Sequence, residues 1–130
     1  MSTLTVPIGE ETNRSRISKM LITLFEHWQL NSKEQLSLLG LAKSNRAQLA
    51  RYSQGHPITN DRDKLERAGI LLGIHKSLRL LFPHNRDLAY AWMKTPNRAF
   101  NGATPTQLID QQGMIGLYMV RAYLDRQRGQ

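Results

Sequence analysis

The stretch Trp92-Met93-Lys94-Thr95-Pro96-Asn97-Arg98-Ala99-Phe100-Asn101-Gly102-Ala103-Thr104-Pro105-Thr106-Gln107-Leu108 stops one helix and starts another. A residue before proline is pushed out of the α region, so Thr95-Pro96 ends the helix that carries Trp92, and Asn97 to Ala103 must cross as a turn-rich loop. Thr104 reads as an N-cap, with Pro105 at the first helical position and Gln107 completing a capping box. Such a cap contributes about 1 kcal/mol. Trp92 and Phe100 flank the loop, and two side chains of that size read as core or interface anchors, the core being the preferred reading.

Working outward, 130 residues make one domain, or one core with an appended module. An apolar fraction of 40% is ordinary for a globular chain. No segment is long enough to span a bilayer, and Met20 to Phe25 lacks the cleavage site of a secretory signal, so a cytoplasmic protein is expected. The absence of cysteine removes disulfides, thiol catalysis and cysteine zinc sites. A net charge of +8 and a pI near 10.3 point to a polyanionic partner, nucleic acid first, although such an excess can also serve solubility alone.

Upstream of the loop the periodicity is helical throughout and no strand is expected. Residues 1–14 show little periodicity and read as an arm. Ile17, Met20, Leu21, Leu24 and Trp28 mark a first helix from Ser15, and Ser32 with Gln35 reads as a capping box for a second, which stops at Gly40. Ser44 or Asn45 caps a third, carrying Ala47, Leu49, Ala50 and Tyr52 as far as Gly55. Two short helices joined through a glycine turn suggest a helix-turn-helix, in which the second helix enters the major groove. Lys43, Asn45, Arg46, Gln48 and Arg51 are the candidate DNA contacts, in a segment from Ala42 to His56 that has no acid. The same pattern also fits an exposed basic helix in a bundle with no DNA role, and eight positions from Leu41 to Leu49 make a longer turn than a compact motif needs.

Thr59 or Asn60 is expected to cap a long helix from Asp61 to Phe82, whose wide apolar face requires packing on more than one side. Gly69 and Gly73 imply either a close neighbour or a bend, the bend preferred. Asn85 caps a helix through Leu88, Ala89 and Trp92. Beyond Gly113 a last amphipathic helix carries Leu117, Val120 and Leu124, widened by Ile115, Met119 and Tyr123, and ends among Arg121, Arg126 and Arg128. The four histidines pair with nothing at metal spacing, and no phosphate loop or nucleophile elbow occurs, so no enzyme, metal or cofactor is expected.

Three segments together resemble the Xre/MbcA/ParS antitoxins: Leu71-Leu72-Gly73-Ile74-His75-Lys76-Ser77-Leu78-Arg79-Leu80-Leu81-Phe82-Pro83; the Trp92 to Asn97 loop with Phe100-Asn101-Gly102 and Thr104-Pro105; and Val120-Arg121-Ala122-Tyr123-Leu124-Asp125 with Arg128-Gly129. The likeness covers roughly residues 15 to 130 and is most specific from Leu71 onward. It implies an all-α protein with an arm over 1–14, an Xre-like helix-turn-helix domain over 15–83 and a toxin-binding domain over 84–130. It further implies a type II antitoxin that neutralises a RES-domain toxin, an enzyme that consumes NAD or transfers ADP-ribose, by blocking the toxin's NAD pocket. Carried over by position, Arg126, Arg128 and Gly129-Gln130 are the candidate plug, with Trp92, Asn97, Phe100, Arg121 and Tyr123 supporting the interface. A homodimer on operator DNA is implied as well. The competing reading is a helix-turn-helix regulator with no toxin partner.

Overall fold

A computed structural model describes residues 10–129, and all regular structure in them is helical, as the periodicity predicts. The order is α1 (Glu11–His27), α2 (Ser32–Leu39), α3 (Arg46–Ser53), α4 (Arg62–Leu81), α5 (Arg86–Ala91), two 3-10 turns at Trp92–Lys94 and Arg98–Phe100, α6 (Pro105–Gln112) and α7 (Met114–Gln127). Among the described residues no helix is long and apolar enough to cross a membrane.

Element starts follow side-chain capping, and several lie a residue or more from where the sequence pattern puts them. α1 begins at Glu11, so residues 11–14, expected in the arm, are helical; residues 1–9 of that arm lie outside the described residues. Asn31, not Ser32, caps α2: its Oδ1 accepts from Glu34 N at 2.9 Å, while the Glu34 carboxylate accepts from Asn31 N at 2.8 Å. A carboxylate one position earlier thus displaces the expected Ser32–Gln35 pair, and Gln35 Nε2 donates to Leu30 O instead. Asp61 caps α4 through Lys64 N, because Thr59 is already engaged, its hydroxyl 2.6 Å from that of Tyr52. Asn45 and Asn85 cap α3 and α5 as expected.

The 20-residue α4 is the element on which the others assemble, about 30 Å long at 1.5 Å per residue. Its wide apolar face is divided between partners: α1 and α2 pack on it from the upstream half of the chain and α7 from the downstream half. Leu71, Ile74 and Leu78 are fully buried in a core shared with Leu21, Leu24 and Phe25 of α1, with Trp28 just past its end, and with Leu117, Val120 and Leu124 of α7. That core is continuous across Pro83, where the sequence suggests a change of module.

At Gly73 the structure favours close approach: α4 is helical straight through, and a Cβ built there would collide with the Arg121 guanidinium of α7. Gly69 has open space around it. A second close approach joins α6 to α7. A Cβ on Gly116 would lie 2.7 Å from Leu108 O and 2.9 Å from Ile109 Cα, so the two helices cross backbone to backbone. The single connecting residue, Gly113, has φ 62 and ψ −135, a conformation essentially confined to glycine.

Some apolar positions assigned to the core by periodicity are exposed. Met20 on α1 is 49% exposed, and Ala47 and Ala50 face out of α3, which buries only Leu49 and Tyr52. Ile115 and Met119 on α7 are 65% and 42% exposed and lie beside Tyr118, half-exposed with its hydroxyl donating to the Glu66 carboxylate of α4, because the buried contacts with α4 and α6 use the Gly116, Leu117, Val120 and Leu124 face.

α5 is held against the ends of α1 and α4 by Tyr90. Its ring stacks on His27 at 4.4 Å between centroids, 7° from parallel, and lies 6.4 Å from His75. Burial, then Arg79 and His27, hold the His75 imidazole below its usual pKa. A depressed histidine binds its proton better in the unfolded chain. Its stabilising contribution is therefore complete above about pH 6.5 and is lost as pH falls towards the lowered folded-state value. Urea unfolding at pH 7.5 and pH 5 should show lower stability at the acid end, and His75→Gln should flatten part of that slope.

Candidate functional site

The Trp92–Leu108 stretch is folded around Asn97. Its backbone carbonyl accepts from Phe100 N and Gly102 N, both at 3.0 Å, its own N–H donates to Ala103 O at 3.0 Å, and its side chain accepts from Ala99 N at 2.9 Å. Asn101 and Gly102 turn the chain with positive φ values of 56 and 85. The predicted capping box is present, with Thr104 Oγ1 accepting from Gln107 N and Gln107 Oε1 accepting from Thr104 N. Thr106, buried at 3% exposure, donates its hydroxyl to Met93 O at 2.7 Å and ties the start of α6 to the turn before the loop.

What this frame holds is the end of α7. Tyr123 stacks on Trp92, 6.0 Å between centroids and 21° from parallel, and meets Phe100 edge-on at 5.3 Å. Phe100 is buried and Trp92 partly buried against the same core, so both act first as packing anchors. Arg128 reaches back to α4, where its Nη1 donates to the Oγ of buried Ser77 at 3.1 Å. Arg121 lies over Gly73 and pairs with Asp125, Nε to Oδ1 at 3.3 Å. Arg126 is exposed and Gly129 follows with a positive φ of 84; Arg126 makes no ion pair among the described residues.

The sequence therefore assembles Trp92, Phe100 and Tyr123 into one aromatic clamp, with Asn97 shaping the loop. It does not present the three C-terminal arginines alike: Arg121 and Arg128 are turned onto α4, and Arg126 faces outward. The Ser77 anchor and the Ile115–Tyr118–Met119 ridge were not singled out by sequence reasoning. Ser77 could have been found from its polar position within the apolar run of α4, whereas the ridge sits on a stripe that periodicity assigns to the core.

The basic helix lies elsewhere. Arg46 and Arg51 are exposed on α3, Gln48 is half-buried, and Asn45 uses its Oδ1 on Gln48 N as the cap. Lys43 is engaged: its Nζ is 2.8 Å from Asp110 Oδ1 on α6, and the same oxygen accepts from Ser37 Oγ at 2.8 Å. The Lys43 and Ser37 hydrogen bonds hold the Asp110 carboxyl below its ordinary pKa. A phosphate would have to compete with that carboxylate for Lys43, which Arg46 and Arg51 do not require.

A family model for the antitoxin Xre/MbcA/ParS C-terminal toxin-binding domain matches residues 77–129. It begins at Ser77 and ends one residue past Arg128, so both partners of the Arg128–Ser77 hydrogen bond lie within it. The chain is also similar to uncharacterized protein y4oB of Sinorhizobium fredii (strain NBRC 101917 / NGR234), with 34% identity over 104 residues, 80% of this chain and 78% of that protein.

Proposed function

The chain belongs to the antitoxin family that carries the Xre/MbcA/ParS C-terminal toxin-binding domain, and on that premise we propose that its partner is a RES-domain toxin whose NAD pocket is blocked by the end of α7. The observation that carries this reading is the fixed presentation of that end. The aromatic clamp and the Arg128–Ser77 hydrogen bond orient the last turns, and Arg126 is left outward to meet the anion-binding groups of a pocket built for a pyrophosphate ligand. The apolar ridge of Ile115, Tyr118 and Met119, on the outer face of the same helix, supports a protein partner at this surface. Co-expression with the neighbouring reading frame and co-purification of the pair tests it, and a frame that neither co-purifies nor encodes a NAD-consuming enzyme overturns the RES assignment.

The same reading includes repression of the chain's own promoter by a cytoplasmic homodimer acting through an α2–α3 helix-turn-helix over residues 15–83. Exposed Arg46 and Arg51 on a helix without an acid support it. Affinity for operator duplex should fall steeply with salt, as phosphate contacts release counterions. Arg46→Ala or Gln48→Ala should lose about 1–3 kcal/mol of sequence discrimination, and Lys43→Ala should matter less because Lys43 is paired. Anisotropy titrations at two salt concentrations check this, and equal affinity for promoter and random duplex would overturn the operator role. A regulator without a toxin partner leaves the toxin-binding domain unexplained, so it ranks second.

A further inference from the structure

Between the last turns of α4 and the start of α5 lies a hollow of about 360 Å³ that belongs to neither surface described above. Its cationic rim is Lys76, Arg79 and Arg86, joined by His75, and its apolar wall includes Phe82 and Tyr90. No acidic side chain lines it. The ion pairs among the described residues use Lys43, Lys64, Arg67, Lys94 and Arg121, so the three rim cations are left without a carboxylate. Like charges gathered on one rim repel one another unless an anion sits among them. The hollow is also remote from the basic helix. The chain following α3 meets the start of α1, where Ile58 N donates to Arg14 O at 3.2 Å, while His27 at the other end of α1 stacks on Tyr90. Arg14 and His27 lie about 20 Å apart along α1 at 1.5 Å per residue.

We propose that this hollow is a binding site for a small nucleoside phosphate, with the phosphate held by Lys76, Arg79 and Arg86 and the base covering the apolar wall at Phe82 and Tyr90. A bare phosphate would leave that wall uncovered, and a few convergent charged groups beside an apolar surface is the usual make-up of a small-ligand site of this volume. The guanidinium pair supplies forked donors matched to phosphate oxygens. Burial first, and then Arg79, hold the His75 imidazole below its usual pKa, so an anion bound beside Arg79 would relieve part of that depression.

The test uses the full chain, followed by amide and imidazole NMR while AMP, ATP, adenosine, inorganic phosphate or a short random duplex is added. AMP or ATP should give saturable shifts centred on residues 75–90 and raise the His75 titration midpoint. Adenosine and inorganic phosphate should each bind at least roughly tenfold more weakly, as expected when charge-assisted hydrogen bonds or the apolar contact is lost. Arg79→Ala with Arg86→Ala should weaken AMP binding by roughly tenfold or more. Arg16→Ala with Lys33→Ala, which removes the same charge from exposed positions elsewhere, should leave it nearly unchanged. Equal weakening in the two double variants would reduce the effect to net charge and overturn the site. Shifts lying outside the hollow, or a response to duplex alone, would overturn it too.

Discussion

Gly116→Val should lower the unfolding free energy by about 3 kcal/mol, and the melting temperature by about 10 °C for a chain of this length. A Cβ at Gly116 falls within 3 Å of the backbone of Leu108 and Ile109, and backbone cannot rotate aside as a side chain can. The helices must separate, and Leu117 and Leu108, both buried at this crossing, lose their packing together. Gly73→Ala is the matched control. Its Cβ meets only the mobile end of Arg121, and alanine favours a helix interior over glycine by about 1 kcal/mol, so stability should be unchanged or slightly higher. Thermal melts of the two variants side by side check the pair. Equal destabilisation would mean that the α6–α7 crossing is looser than described.

The second large effect concerns neutralisation of the toxin. If the ridge on α7 is the docking surface and the end of the helix the obstruction, two kinds of variant should separate binding from inhibition. Ile115→Glu with Met119→Glu places two charges in an apolar contact and should weaken the complex by about 100-fold or more, close to 3 kcal/mol. Removal of residues 126–130 should leave most of the binding but lose protection of cells expressing the toxin. Within that segment Arg126→Ala should reduce protection without changing the melting temperature, whereas Arg128→Ala also frees Ser77 and loosens the last turn. Affinity by calorimetry beside growth assays reads both quantities. A truncated chain that still protects fully would sink the obstruction mechanism, and a ridge variant that binds normally would move the docking surface elsewhere.

Local chemistry made the loop legible in the sequence. Thr104, Pro105 and Gln107 state a helix start in three residues, and the box forms as written. Trp92 and Phe100 read as anchors because few sites other than a core accept rings of that size, and both join it. Where two polar residues competed for one cap, sequence order could not decide. Asn31 displaced Ser32 because its own Glu34 answers it, and Asp61 displaced Thr59 because Tyr52, seven residues back on α3, takes the threonine hydroxyl. Helical periodicity says which residues share a face but not how much of the face is covered. It therefore put Ile115 and Met119 with Leu117 and Val120, and only packing by α4 and α6 tells them apart. The fates of Arg121, Arg126 and Arg128 were equally hidden, since each depends on what α4 offers one helix away.

The sharing of α4 between its two sets of partners has a consequence for synthesis. Among the described helices α7 leaves the ribosome last, so the stripe of α4 that it covers stays wet while everything upstream is already made. A nascent chain at that stage shows proteases and chaperones an apolar strip beside finished helices. Closure of the described core therefore waits for α7, the helix that ends the matched domain.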